Sequence, residues 1–225
     1  AALRPLLACG AVRARTCAAL LPALCAARAR ELLLLYARHV AADLDDEQLL
    51  MLLRLALRER HEKLARAKTA AKAAGGGAHS AEATEAEAEA AGWGALLDQL
   101  ICAPRNDVFL LQALRWLSLP DGRLLLERLI PLLNCYSDEW RAAAGAPSMP
   151  QLVGWLNVLI DAHASQLLLH SAAHPLLRRL GQLARRHVHL CSNIKNLKGY
   201  LSQATHRGAQ PVRTIPAYSV DVIAL

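Results

Sequence analysis

PLLRRLGQLARRHVHLCSNIKNLKGYLS, Pro175 to Ser202, decides the fold class. Its seam recurs as Leu176, Leu180, Leu183, His187, Leu190, Ile194, Leu197 and Leu201, in alternating steps of four and three. Residues at those spacings share one helix face, so the stretch predicts a long helix packed along its length against partners. Pro175 suits the opening turn, where an amide N–H has no intrahelical acceptor to lose. Arg178 and Arg185 fall on the far side of the seam and Arg179 and Arg186 at its edge, with Lys195 and Lys198 following. Such a helix buries one face and offers a basic surface on another.

The rest of the chain is consistent with an all-α fold. The 225 residues are 54% hydrophobic but only 4% aromatic, so the core must be built from Leu and Ala. Both are strong helix formers, whereas the β-branched and aromatic residues that favour strands are scarce. Thr16 to Val40 (TCAALLPALCAARARELLLLYARHV) has helical spacing, and DLDDEQLLMLLRLALRER from Asp43 predicts a second helix capped by Asp43 or Asp45. Consecutive short helical hairpins over residues 1–60 resemble units of an α-solenoid. Residues 61–91 start basic, pass through Gly75-Gly76-Gly77 and end as AEATEAEAEAA, which reads as a flexible low-complexity linker.

A C-terminal helical bundle is expected over 92–203. DVFLLQALRWLSLP ends at Pro120, and Asp121 is placed to cap the helix that follows, which Pro131 should kink or end locally. Ser148 and Pro150 suit the N-cap and first turn of QLVGWLNVLIDAHASQLLLH. Residues 204–225 read as an extended tail. Its last octet, Tyr218 to Leu225, is the strand-like text of the chain, with Tyr218, Val220, Val222 and Ile223 as docking residues for a strap or an added strand.

Charge is segregated. Of 26 Lys+Arg and 19 Asp+Glu, the last 64 residues hold eight basic residues and one acid, Asp221, so the whole +7 resides there. Arg178, Arg179, Arg185, Arg186, Lys195 and Lys198 could contact RNA phosphates or an acidic protein surface through a salt-dependent attraction. The six cysteines form no CxxC pair, and Cys9, Cys17, Cys25, Cys102, Cys135 and Cys191 read as small buried hydrophobes in a reducing compartment, cytosol or nucleus. The stretch Ala142–Ile160, free of charge, is interrupted by Pro147 and Pro150, so no membrane span is expected. The basic opening segment has some transit-peptide texture, but it continues into a helix containing Glu31. The chain opens Ala1-Ala2-Leu3 without Met, which suggests a processed protein or a piece of a longer one.

Chemistry is sparse. No GxGxxG or phosphate loop occurs, and the triple glycine precedes no Lys-Ser/Thr. His187 and Cys191 could converge on one helix face while His189 points away, but no further ligand is marked. His163, His170 and His174 have no fixed mutual geometry, and no nucleophile elbow accompanies them. The reading is therefore a non-catalytic module with no metal, no cofactor and no small-molecule substrate.

Trp155 to Gln203, WLNVLIDAHASQLLLHSAAHPLLRRLGQLARRHVHLCSNIKNLKGYLSQ, resembles the C-terminal helical domain of the nucleolar protein 11 family. The resemblance rests on Trp155, Leu159, Ile160, Asp161, Ala162 and His163, then on Pro175 to Leu201, and on the terminal YSVDVIAL. Asp107 to Tyr136 and Glu31 to Leu50 fit the same pattern. Ala164 departs from it, standing where the family has a bulky aromatic, and the Ala-rich linker is peculiar to this sequence. The resemblance implies a nucleolar scaffold subunit of the small-subunit processome, serving pre-rRNA transcription and processing and bundling with other processome scaffold subunits, with pre-rRNA near its basic face. It also implies an N-terminal β-propeller outside these residues. The competing expectation is a generic α-solenoid adaptor in cytosolic trafficking or signalling.

Overall fold

The computed structural model describes residues 3–8, 17–40, 43–73, 81–103, 105–138 and 145–209, and every regular element among them is helical. The helices are α1 (Leu3–Ala8), α2 (Leu20–Ala26), α3 (Arg30–Val40), α4 (Asp46–Ala73), α5 (Ala81–Cys102), α6 (Asp107–Arg115), α7 (Leu119–Asp138), α8 (Met149–Leu169) and α9 (His174–Ala209). A 3-10 turn, Ser171–Ala173, separates α8 from α9. The chain divides into two units, Ala1–Gly181 and Gln182–Leu225.

In the first unit the central feature is the antiparallel pair α4 and α5. Leu52, Leu53 and Leu57 from α4 and Leu96, Leu97, Leu100 and Ile101 from α5 are fully buried. Burying one such side chain contributes about 1.5–3 kcal/mol. Helix α3 packs on α5, α6 and α7 pack on α4, and α8 closes over α5, α6 and α7. The residues before 60 are thus not a separate solenoid lobe; their helices share a core with those that follow. Helix α8 is long and apolar enough to cross a membrane by length and composition, but here its Leu152, Trp155, Leu156, Leu159 and Leu167 are core residues.

The expected linker is corrected on both sides of Gly75, Gly76 and Gly77, which lie outside the described residues. Residues 61–73 complete α4, and 81–91 form the first half of α5. Ala67 on one helix and Ala83, Ala86 and Ala90 on the other are buried. Their three- and four-residue spacing puts small side chains on one face, which lets two backbones approach closely without a large apolar anchor. Lys63 pairs with Glu89, and Arg30 Nη1 reaches the Glu89 carbonyl at 3.5 Å. The Lys63 ammonium holds the Glu89 carboxyl below its ordinary pKa.

Helix ends follow the sequence signals with two exceptions. Asp45 Oδ1 accepts from the Gln48 amide at 2.8 Å, and Ser148 and Gln151 form a capping box that spans Pro150. Asp121, however, does not cap α7; the helix begins at Leu119, and Ser118 precedes it. Ser118 Oγ donates to Asp121 Oδ2 at 2.6 Å and accepts from the Asp121 amide at 3.4 Å, so the serine stands before the first turn and the acid inside it. Helix α7 also continues through Pro131 to Asp138. Helix α2 ends with Arg28 at φ 49°, the left-handed position usually given to glycine. The Arg28 and Ala29 amides close back on Cys25 and Leu24 at 3.1 and 3.2 Å, the Schellman pattern.

The cysteine expectation is also corrected. Cys17, Cys135 and Cys191 are exposed and Cys25 and Cys102 half-buried, all as free thiols. Burial pushes the Cys25 and Cys102 thiols up, which keeps them protonated at neutral pH.

Candidate functional site

The seam helix forms as the spacing predicts, and its 36 residues extend from His174 to Ala209. The helix therefore overruns the start of the expected extended tail, since residues 204–209 are its last turns. Tyr218, Val220, Val222 and Ile223 lie outside the described residues.

Burial along the seam is graded. Leu180, Leu183 and His187 are buried, and Leu176 and Leu190 are half-buried. Beyond them Ile194, Leu197 and Leu201 are 40%, 60% and 67% exposed. Three large apolar residues spaced three and four apart thus share an exposed face of the distal helix, which is the arrangement a second helix can grip. His187 is buried while His189 and Cys191 are exposed.

Arg178, Arg179, Arg185, Arg186, Lys195 and Lys198 are all exposed. Among the described residues none of them enters an ion pair, and the sequence places no Asp or Glu anywhere in α9. At about 100° per residue, Arg179, Arg186 and Lys198 flank the seam while Arg178 and Arg185 lie opposite it. The apolar face therefore has a basic border and a basic reverse side.

The family-like motif is structural rather than a ligand site. Trp155 is buried, and its Nε1 donates to the Ile101 carbonyl at 3.2 Å, tying α8 to the end of α5. Two turns on, buried His163 makes a 2.8 Å hydrogen bond from Nε2 to the Leu114 carbonyl, which fixes the proton on Nε2 and ties α8 to the end of α6. Leu159 fills the space between, and Gly122 on α7 lies against the His163 ring, 3.5 Å from where a Cβ would sit. Asp161 is exposed.

Two part-buried charge clamps leave little mark in the sequence. Arg58 donates from Nε and Nη2 to the two carboxylate oxygens of Asp121 at 3.1 and 3.0 Å, joining α4 to α7. Burial raises the Asp121 pKa, but the hydrogen bonds from Arg58 and Ser118 and the charges of Arg58 and Arg54 outweigh it and leave it below the ordinary value. Arg128 grips Asp98 in the same fork at 3.1 and 2.5 Å, joining α7 to α5. The only sequence signal was the Ser118-x-x-Asp121 spacing; pairings across thirty or more residues leave none. A cavity of about 540 Å³ opens at the start of α3; in its lining Arg28 pairs with Glu59 at 2.7 Å, Arg4 with Glu31 and Lys63 with Glu89, while Arg30 reaches the Glu89 carbonyl.

Fold and surface together define an all-helical protein that presents an apolar seam with basic flanks. No family model matches the chain. Nucleolar protein 11 of Xenopus laevis is 25% identical over 133 residues, covering 58% of this chain and 18% of that protein. Nucleolar protein 11 of Gallus gallus is 27% identical over 134 residues, with coverages of 58% and 18%. A nucleolar protein 11-like protein of Danio rerio is 27% identical over 135 residues, with 59% and 19%. The chain is thus similar to part of the nucleolar protein 11 proteins, whose name places those relatives in the nucleolus. The matched region spans less than a fifth of these relatives' length.

Proposed function

We propose that the chain is a non-catalytic scaffold region of a small-subunit processome component, acting in ribosome biogenesis. It would hold other scaffold subunits by helix packing, with its basic flanks near pre-rRNA. The exposed run Ile194, Leu197 and Leu201 carries this reading. An apolar helix face left to solvent is a feature of proteins that complete their packing on a partner. The nucleolar relatives supply the compartment, and the acid-free helix supplies an electrostatic surface suited to phosphate.

The test is affinity purification of the full-length protein from cells, washed at moderate and then high salt, with co-purifying proteins and RNA identified. Processome subunits should survive high salt, and RNA should be lost between washes. Leu197→Glu with Leu201→Glu should release the proteins, whereas Arg185→Glu with Arg186→Glu should release only RNA. Both positions of the first pair are exposed, so the variant keeps its fold. Coat or signalling proteins recovered without pre-ribosomal RNA would overturn the proposal, as would unchanged recovery with the Leu197/Leu201 variant.

A further inference from the structure

Helix α6 carries a second exposed apolar surface, separate from α9 and built differently. Its inner face buries Leu110, Ala113, Leu114 and, just past its end, Leu117. Its outer face holds Val108, Phe109, Gln112, Arg115 and Trp116. Phe109 is the sole phenylalanine of the chain and is 62% exposed; Trp116, seven residues on, is 75% exposed. Trp93 and Trp155, by contrast, are buried. In a chain with so few aromatics, two on one solvent-facing stripe form an apolar patch with no role in the core.

The surroundings specify what the patch can take. Arg54 Nη2 donates to the Trp116 carbonyl, which pins one guanidinium at that end of the stripe. Arg58 is held nearby by Asp121, whose carboxylate is buried and consumed by the pair. Arg115 is exposed and enters no ion pair among the described residues. The Trp116 end is therefore cationic, and Asp107 stands in the first turn at the Phe109 end. Exposed Trp and Arg side by side are the pairing that most often anchors protein interfaces.

The geometry points to α6 as a docking site for an acidic segment of another protein that carries two large apolar side chains. Seven helical residues separate Phe109 and Trp116 by about 10.5 Å along the axis. Two turns of a partner helix match that interval. RNA fits less well, because no line of basic residues follows the stripe to track a phosphate backbone. A second copy fits less well too: a helix of nine residues, roughly 13.5 Å long, offers much less than the about 800 Å² per partner that a stable dimer buries.

The experiment places the photo-crosslinker p-benzoylphenylalanine at Gln112, between the two aromatics, in the full-length protein in cells, with exposed Glu85 on α5 as the control position. Adducts should map by peptide sequencing to an acidic stretch of another protein with two large apolar residues. Their yield should fall at least tenfold in Phe109→Ala with Trp116→Ala, and severalfold in Arg115→Glu. Circular dichroism melts should be unchanged, because these side chains are exposed. Adducts to RNA, to a second copy of the chain or to a basic segment would overturn the proposal, and so would a yield no higher than at Glu85. None of these outcomes depends on α9, so the processome reading stands or falls separately.

Discussion

His163 Nε2 and the Leu114 carbonyl oxygen lie 2.8 Å apart inside the protein, so a histidine of α8 fastens the last turn of α6. The same histidine packs beside Gly122 of α7, and three helices therefore meet at one ring. His163→Ala removes both the hydrogen bond and the ring volume, and should lower stability by about 2–4 kcal/mol. A urea midpoint equal to that of the parent protein would show that the ring contributes nothing to this junction.

Asp121 predicts an acid-limb effect. Its folded pKa is depressed below the ordinary carboxylate value, so the unfolded chain binds the proton more readily. The stability from the Arg58 pair is then complete above the unfolded pKa of about 3.9 and is lost as pH falls through the lower folded value. Asp121→Asn should cost about 1–3 kcal/mol at pH 7, towards the low end because the Arg58 side chain is largely exposed. Denaturant titrations from pH 7 to pH 3 should show a shallower acid loss in the variant; parallel curves would dismiss the Asp121 contribution.

Arg28 holds two opposed energies. Its left-handed backbone costs about 1–2 kcal/mol relative to glycine, while its guanidinium is the partner of buried Glu59. Arg28→Gly alone should destabilise by about 1–2 kcal/mol, because an unpaired buried carboxylate outweighs the relieved strain. Adding Glu59→Gln should restore stability to the parent value or above. If the single variant is already the more stable, the Glu59 pair is not what keeps arginine there.

The Ala-rich contact between α4 and α5 gives a sharp contrast. Ala90 is buried between the helices, so Ala90→Leu should overpack the interface and cost about 1–3 kcal/mol. The exposed Glu87→Leu on the same helix should be nearly neutral. Equal thermal midpoints for both would return residues 81–91 to the status of a linker.

Local signals in the sequence were reliable where one helix suffices to read them. Asp45, Ser148 with Gln151, and the opening of α9 at Pro175 all depend on residues within one turn. Residues 61–73 and 81–91 carry no large apolar side chain after Leu64, so periodicity does not mark them; their helices are held by close approach of Ala67 with Ala83, Ala86 and Ala90. Pro131 also failed as a breaker, since the packing of α7 against α4 and α8 outweighs one missing hydrogen bond. Phe109 and Trp116 look like ordinary helix text in the sequence, although Val108, Phe109 and Trp116 exceed what one buried face of so short a helix can absorb.

By itself the sequence determined the helical class, the caps at Asp45 and Ser148, the heptad seam and the separation of positive charge into α9, because each follows from periodicity and composition along one strand of text. Only the tertiary structure decided which apolar residues remain outside. Leu183 is buried and Leu197 exposed at equivalent positions of the same seam, and Leu110 is buried while Phe109 is not. Periodicity fixes the direction in which a side chain points; whether that direction meets another helix or water is set by neighbours that are distant in the chain.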